Sequence, residues 1–396
     1  MKHKCCTYSR RAFLRMGVGV AAGAPLALSA SCGGGKVATS DGNPPPAYRA
    51  DAKVAIVPCL TYGSEVTTAL QQAFNLLGGV HALVNARTVT VKVNLTCAGY
   101  FENQFGLLPG ETYITHGATV IALCSLLLAE GARRVRVVDS VPFREPMEEV
   151  LTLAEWDVPT LLALENVELE NTRNLGSGQS YARLPVPWGG YLFSYFEVNH
   201  SYQDTDVFIS LAKMKQHTTA GVTLSMKNLF GITPNSLYGS EAGSEDALGW
   251  RSPLHGDGTG GWGSIIPPGV RTDRDPDGEG FRIPRIIADE CAARPVDLAI
   301  IDGISAMSGG EGPWSPNPQL TTPGILIAGL NPVSTDAVAV VVMGYANPRA
   351  TRGTPPFQNC DNHLLLAEQV GLGLADLSRI DVRGMTIAQA RYPYPT

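Results

Sequence analysis

Arginine carries most of the positive charge in this chain: 22 arginines stand against eight lysines, and three of those lysines fall between positions 213 and 227. The stretch from Asp206 to Thr233, DVFISLAKMKQHTTAGVTLSMKNLFGIT, holds Lys213, Lys215, His217 and Lys227. An ammonium on a flexible stem shifts its pKa readily and can act as base, nucleophile or point charge, whereas a guanidinium stays protonated. Lysines kept against an arginine background therefore point to proton transfer, covalent attachment or anion binding. Lys213, Lys215 and His217 follow an apolar run that reads as a buried strand, and their alternate spacing turns all three side chains the same way. At the carboxyl end of a strand in an open α/β sheet they would face the ligand crevice and suit a carboxylate or phosphate. Lys227 falls near the end of Thr219–Phe230, read as an apolar helix. Desolvation there would lower its pKa and make a neutral amine accessible, with His217 as proton-transfer partner. The plainer readings are lysines on a solvated face, or Lys227 capping the last turn of its helix.

Further candidates share that edge. Lys92 and Asn94 alternate at a strand end and, with Asn228 beside Lys227, could hold an anionic group; Lys92 could equally be an edge lysine keeping its head in water. Asp302 ends the strand DLAIID and Glu311 follows in a Gly-rich loop, where paired carboxylates can bind a cation, orient a histidine or act as base. Asp302 reads equally as a turn cap, and Asp336 as an acid at a helix start. Asp273 to Gly278 matches the opening of a calcium loop, but the twelfth position is Pro284 rather than an acid. There is no G-x-G-x-x-G after the first strand, no Walker loop and no G-x-S-x-G elbow, so dinucleotide, nucleoside-triphosphatase and serine-hydrolase readings lose support.

The elements that must position these residues alternate. Val54–Val57, Thr88–Leu95, Arg134–Asp139, Asp206–Lys213, Val296–Ile301 and Gly324–Gly329 read as strands. Glu65–Leu77, Thr119–Glu130, Arg285–Ala293, Thr335–Gly344 and His363–Val370 read as helices. This predicts an α/β fold with a mixed, mainly parallel sheet flanked by helices. Asn166–Asn199 reads as a small β-rich subdomain. Thr233–Ile283 has no sustained periodicity and reads as a long irregular loop covering the crevice.

Taken with V-K-V-N-L at Val91–Leu95, I-D-G-I at Ile301–Ile304, G-E-G-P at Gly310–Pro313 and S-T-D-A-V-A at Ser334–Ala339, the segments K-x-K-x-H and M-K-N-L-F-G resemble the domain of unknown function 362 family over about residues 88–345. That resemblance supplies no reaction. A more distant pattern resembles the lactate racemase family: His217, Ala220-Gly221, Lys227 and Gly231 fall at that family's separations. It implies a lysine tethering a nickel-pincer nucleotide, with His217 and His116 as catalytic histidines and His255 as metal ligand. The glycine-rich run of that family is replaced here by Val222–Met226. The cofactor is thus expected to be lysine-linked or metal-containing, its identity open.

Net charge is −6, on 44% hydrophobic and 17% charged residues, the balance of a globular protein. The five basic residues before Cys32 leave an acidic remainder, a poor match for DNA or RNA. Ser9-Arg10-Arg11-Ala12-Phe13-Leu14 resembles a twin-arginine export motif, and the apolar run after it is too short to span a membrane. Cys32 follows Leu28-Ser29-Ala30-Ser31 like a lipoprotein cleavage site, though a serine stands where leucine is usual and simple cleavage near Ala30 is the alternative. Residues 1–32 are thus expected to be a signal, 33–50 a Gly/Pro linker and 51–396 the folded domain. The translocase, a membrane through the Cys32 lipid and a small anionic molecule are the expected partners, and the cell envelope the location. No C-x-x-C pair occurs beyond Cys32, so no iron–sulfur cluster is expected. The leading expectation is an enzyme moving a proton or hydride on a small anion; the other is a non-catalytic binding lipoprotein.

Overall fold

The computed structural model describes residues 52–96, 102–256, 262, 265–274 and 277–395. The segments expected to be a signal and a linker, with Cys32 and Cys97, lie outside them. Within them the strands in chain order are β1 (Lys53–Pro58), β2 (Thr88–Lys92), β3 (Arg134–Asp139), β4 (Val167–Asn171), β5 (Ala182–Pro185), β6 (Tyr195–Val198) and β7 (Val207–Lys213). They continue with β8 (Lys215–His217), β9 (Gly221–Thr223), β10 (Leu298–Gly303), β11 (Ala306–Ser308), β12 (Gln319–Thr321), β13 (Ile325–Gly329) and β14 (Asp381–Gly384).

Eight of these form the central sheet in the order β14-β1-β13-β10-β7-β2-β3-β4. Only β13 runs against its neighbours, pairing antiparallel with both β1 and β10; the other pairings in the sheet are parallel. The mixed, mainly parallel α/β sheet expected from the alternation is therefore what the chain forms. Both faces are covered, which is why β2 and β7 are buried at every position. Side chains alternate between two cores. Val54, Ile56, Phe208 and Ile301 pack beneath helices Glu279–Ala293, Pro332–Val342 and His363–Gln369. Ala55, Val57, Ile209 and Leu211 pack beneath Glu65–Leu77 and Gly117–Ala129.

Three local expectations are corrected. Val167–Leu169 belongs to β4 at the edge of the main sheet, so only β5 and β6 make a separate hairpin. Thr219–Phe230 is not one helix. Gly221 at φ 78° and the β-branched Val222 and Thr223 turn the chain into β9, paired with β8, and a short helix follows at Ser225–Asn228. The helix read from Arg285 begins at Glu279, with Pro284 inside it. Proline supplies no N–H, so the Gly280 carbonyl one turn earlier is free, and the Asp361 N–H donates to it at 2.8 Å. This places the twelfth position of the calcium pattern within a helix; Asp275 and Pro276 lie outside the described residues.

The described part of Thr233–Ile283 is irregular but fastened rather than loose. Arg173 and Asn174 donate to the Glu245 carbonyl at 2.8 and 2.9 Å. Arg251 donates to the carbonyls of Thr233 and Ser140 at 2.7 and 3.0 Å. β14 was not legible: Asp381–Gly384 is short, mostly exposed and polar. No helix among the described residues is long and apolar enough to cross a membrane.

Candidate active site

Strand parity divides the lysines between the two faces. Lys213 shares the parity of Ile209 and Leu211, and Lys215 lies two residues beyond, so both turn toward the Gly117–Ala129 side. The Lys213 ammonium donates to the Tyr62 hydroxyl and the Gly110 carbonyl, each at 2.6 Å, and lies 3.3 Å from Asp302 Oδ2. Lys215 donates to the carbonyls of Tyr113 and Glu311 at 2.6 and 2.7 Å. The alternate spacing does aim these two the same way, but Lys215 meets backbone carbonyls and Lys213 a carbonyl, Tyr62 and the chain's own Asp302. Asp302 accepts from Tyr62 at 3.0 Å and from the Ile304 N–H at 3.1 Å, joining a buried pair instead of a cation site.

His116 belongs to this group. Its ring stacks on Tyr62 with centroids 3.7 Å apart, and its Nδ1 accepts the Ala118 N–H at 3.1 Å, capping the Gly117–Ala129 helix. Burial, then Lys213, lowers it to about 3. The structure keeps His116 on the Lys213 side and does not bring it to Lys227.

Lys227 lies in the other core, on a helix tightly held at both ends. Asp336 accepts the N–H groups of Ser225 and Met226, each at 2.9 Å, and the Ser225 hydroxyl at 2.5 Å. The acid read as a helix start in its own segment thus anchors the first turn of a different one. Asn228, beside Lys227, donates to Ser210 Oγ at 3.0 Å and to the Lys92 carbonyl at 3.1 Å, and its Oδ1 accepts from Asn94 at 3.2 Å. Lys92 is paired with Asp139 at 2.7 Å. Lys92, Asn94 and Asn228 therefore serve to clamp the Lys227 segment onto the sheet edge, with Asn94 Oδ1 left without a partner.

Gly231 lets that segment close over the Lys92–Asp139 pair: a Cβ there would stand 2.8 Å from Lys92 Nζ and 2.9 Å from Asp139 Oδ1. Gly231→Ala is expected to cost about 1–3 kcal/mol through overpacking, measured by urea denaturation. A variant as stable as the parent would show that the turn is not held against the pair.

Lys227 itself is bound differently from the other site lysines. Its ammonium sits 3.9 Å from the centre of the Phe230 ring, and no acceptor among the described residues lies within hydrogen-bond reach. Burial lowers it to about 8; Glu290 and Glu311 oppose that, while Arg251 and Lys92 add to it. His217 is lowered well below the ordinary imidazole value, first by burial, against Glu311 and with Lys227 and His255. Its Nδ1 accepts the Thr219 N–H at 3.1 Å, so the neutral ring carries its proton on Nε2 and is a donor. Burial works to raise Glu311, but the Thr218 N–H and hydroxyl and the Trp314 indole donate to its carboxylate and hold it low. His255 packs edge-on against Phe230 and is lowered to about 3 by burial and then by Lys227. A cleft of about 390 Å³ opens beside His217, between Gly310, Asn317, Tyr345 and Pro356. Another, of about 450 Å³ over β4, takes in none of the candidate residues.

Two members were missed from the sequence. Glu290 is fully buried with neither oxygen hydrogen-bonded, and His363 is fully buried with neither ring nitrogen hydrogen-bonded. Glu290 was findable: Ile283, Ile286, Ile287 and Glu290 repeat at helical spacing, placing an acid on an apolar stripe. His363 carried no comparable signal.

The fit of a lysine-linked nickel nucleotide is divided. Lys227, unpaired and neutral-prone, is a chemically suitable attachment point. No group of three His, Cys, Asp or Glu among the described residues could hold a metal ion, so His217 and His255 do not make a centre.

An α/β protein with a buried lysine at the carboxyl edge of its sheet is the class that fold and site define. The chain belongs to the family described as "Domain of unknown function (DUF362)", which it matches over residues 89–341. None of the curated proteins matches it. Among solved structures it is similar to a Thermotoga maritima structural-genomics protein, with TM-score 0.37 and 13% identity over 74% of this chain and 62% of that one. It is also similar to the lactate racemase apoprotein of Thermoanaerobacterium thermosaccharolyticum, with TM-score 0.37 and 11% identity over 70% of this chain and 54% of that one. The chain thus spans less than two thirds of either protein's length.

Proposed function

We propose that the protein is an enzyme that moves a proton on a small carboxylate-bearing substrate, with Lys227 as the base. The observation that carries this is the Lys227 ammonium itself. It is buried and meets no acceptor among the described residues, on a helix whose Ser225, Met226 and Asn228 are held by hydrogen bonds. A structural lysine is stabilised by the partners that Lys92, Lys213 and Lys215 have; Lys227 lacks them, which leaves its lone pair available once the proton is lost. The neutral His217 would present Nε2–H to a developing oxyanion, a role for which a lowered pKa is an advantage. Arg251 and Lys92 supply the positive field for the carboxylate.

The test is solvent-deuterium incorporation into a panel of 2-hydroxy, 2-amino and 2-oxo carboxylates by the purified protein. Exchange that disappears in Lys227→Arg supports the reading. Binding of a panel member with no exchange makes the protein a solute binder instead.

We further propose export through the Arg10-Arg11 motif and anchoring at Cys32, supported by the order of charges, motif and apolar run. Exchange of both arginines for lysine is expected to leave the protein in the cytoplasm, followed by cell fractionation. Cys32→Ala is expected to free it from the membrane fraction. Unchanged export or unchanged membrane association, respectively, would contradict these assignments.

A further inference from the structure

Next to each other in the Glu279–Ala293 helix stand two fully buried acids with opposite circumstances. Asp289 accepts three backbone N–H groups, from Tyr191, Leu192 and Phe193, at 2.7, 2.8 and 3.0 Å. Glu290 accepts none. An acid left so in an apolar core is costly unless it is protonated or meets water or ligand. The Glu279–Ala293 helix packs against both the short Ser225–Asn228 helix that carries Lys227 and the His363–Gln369 helix, and Lys227 acts on the charge of both Glu290 and His363. Neither Glu290 oxygen is hydrogen-bonded to the Lys227 ammonium.

We infer that Glu290 is the proton store of the Lys227 site, exchanging a proton with the Lys227 amine through water that also meets the ring nitrogens of His363. The inference rests on the reading of Lys227 as a base. The exchange is balanced: an N–H bond of the ammonium breaks, an O–H bond forms on the carboxylate, and an ion pair becomes an amine and an acid with no change in net charge. In a low-dielectric interior the uncharged pair competes with the charged one, and the two groups titrate as a unit. Two unpartnered carboxyl oxygens and two unpartnered ring nitrogens, all fully buried, provide the several polar contacts that an internal water needs.

The other charges facing the pair are Arg251 and Lys92, which favour ionised Glu290, and Asp289, which opposes it. Glu311 favours charged Lys227. His217 and His255 stand in the same field, with burial keeping both neutral.

Two measurements test this without a substrate. The first is carbamylation of Lys227 by cyanate as a function of pH, read by peptide mass and normalised to N-acetyl-lysine in the same tube. In Glu290→Gln the midpoint is expected to fall by ~1 unit or more, because the partner that favours the charged lysine is gone. An unmoved midpoint overturns the inference. The second is the infrared difference between parent and Glu290→Gln at neutral pH, which decides the matter should cyanate not reach Lys227. A carboxylic-acid C=O band that shifts in deuterium oxide and is lost in the variant is expected; its absence from the difference overturns the inference. If no carboxylate exchanges deuterium but these readouts behave as stated, the proposed reaction fails while the proton store stands.

Discussion

Replacing Lys227 by arginine is expected to reduce turnover by about 10²–10⁴-fold, the usual contribution of a positioned acid or base, while the protein stays folded. The fold should persist because the native side chain contributes a cation over the Phe230 ring, and a guanidinium can stack there as well. What arginine cannot do is lose its proton. The parent should accordingly show a rate that rises with pH through about 8 and then levels, since the active form is the neutral amine and protonation below that value removes it. A lysine that only attracts an anion would give the reverse, activity falling as the charge is lost. Deuterium exchange across pH, with circular dichroism of the variant, separates these outcomes.

The second large effect is on stability. Lys213→Met is expected to destabilise the protein by about 3–5 kcal/mol, because Asp302 is left as a fully buried charge without its cation. The pair is wholly excluded from solvent at 3.3 Å. Burial lowers the lysine against the opposing influence of Asp302, so the pair persists through mutual compensation rather than solvation. Lys213→Met combined with Asp302→Asn should recover much of the loss, giving a coupling well above that of an exposed ion pair. Denaturant unfolding of the four proteins measures it. Additive losses would mean that the two side chains act independently and would return Lys213 to the candidates for anion binding.

The fold was largely legible because strands covered on both faces are rich in apolar and β-branched residues, as in β7, β10 and β13, while β2 shows as an alternation of threonine and valine. β14 escaped notice because an exposed edge strand of four residues has no buried face to pattern. In the site, closeness in sequence groups the lysines of the Lys213–Lys227 stretch. Strand parity and the β8–β9 hairpin separate them, sending Lys213 and Lys215 to one face and Lys227 to the other. A hairpin of three-residue strands within an apolar segment is hard to tell from a helix by periodicity. Glu290 and Arg251 joined the site from elements distant in sequence: the apolar stripe of its helix marks Glu290 as buried, but no local pattern announces which site it enters. His116 matched a remote family's spacing, yet its place is fixed by capping a helix and stacking on Tyr62.

The most direct test of a reactive Lys227 is the titration of its side chain by NMR. With eight lysines in the chain, selective ¹³Cε-lysine labelling gives few signals, and comparison with Lys227→Arg assigns the one that matters. A midpoint near 8 for that signal, with the other site lysines titrating separately, is the result expected of a buried amine ready to accept a proton. A midpoint at or above the ordinary lysine value of about 10.4 would make Lys227 a permanent cation and contradict its role as a base.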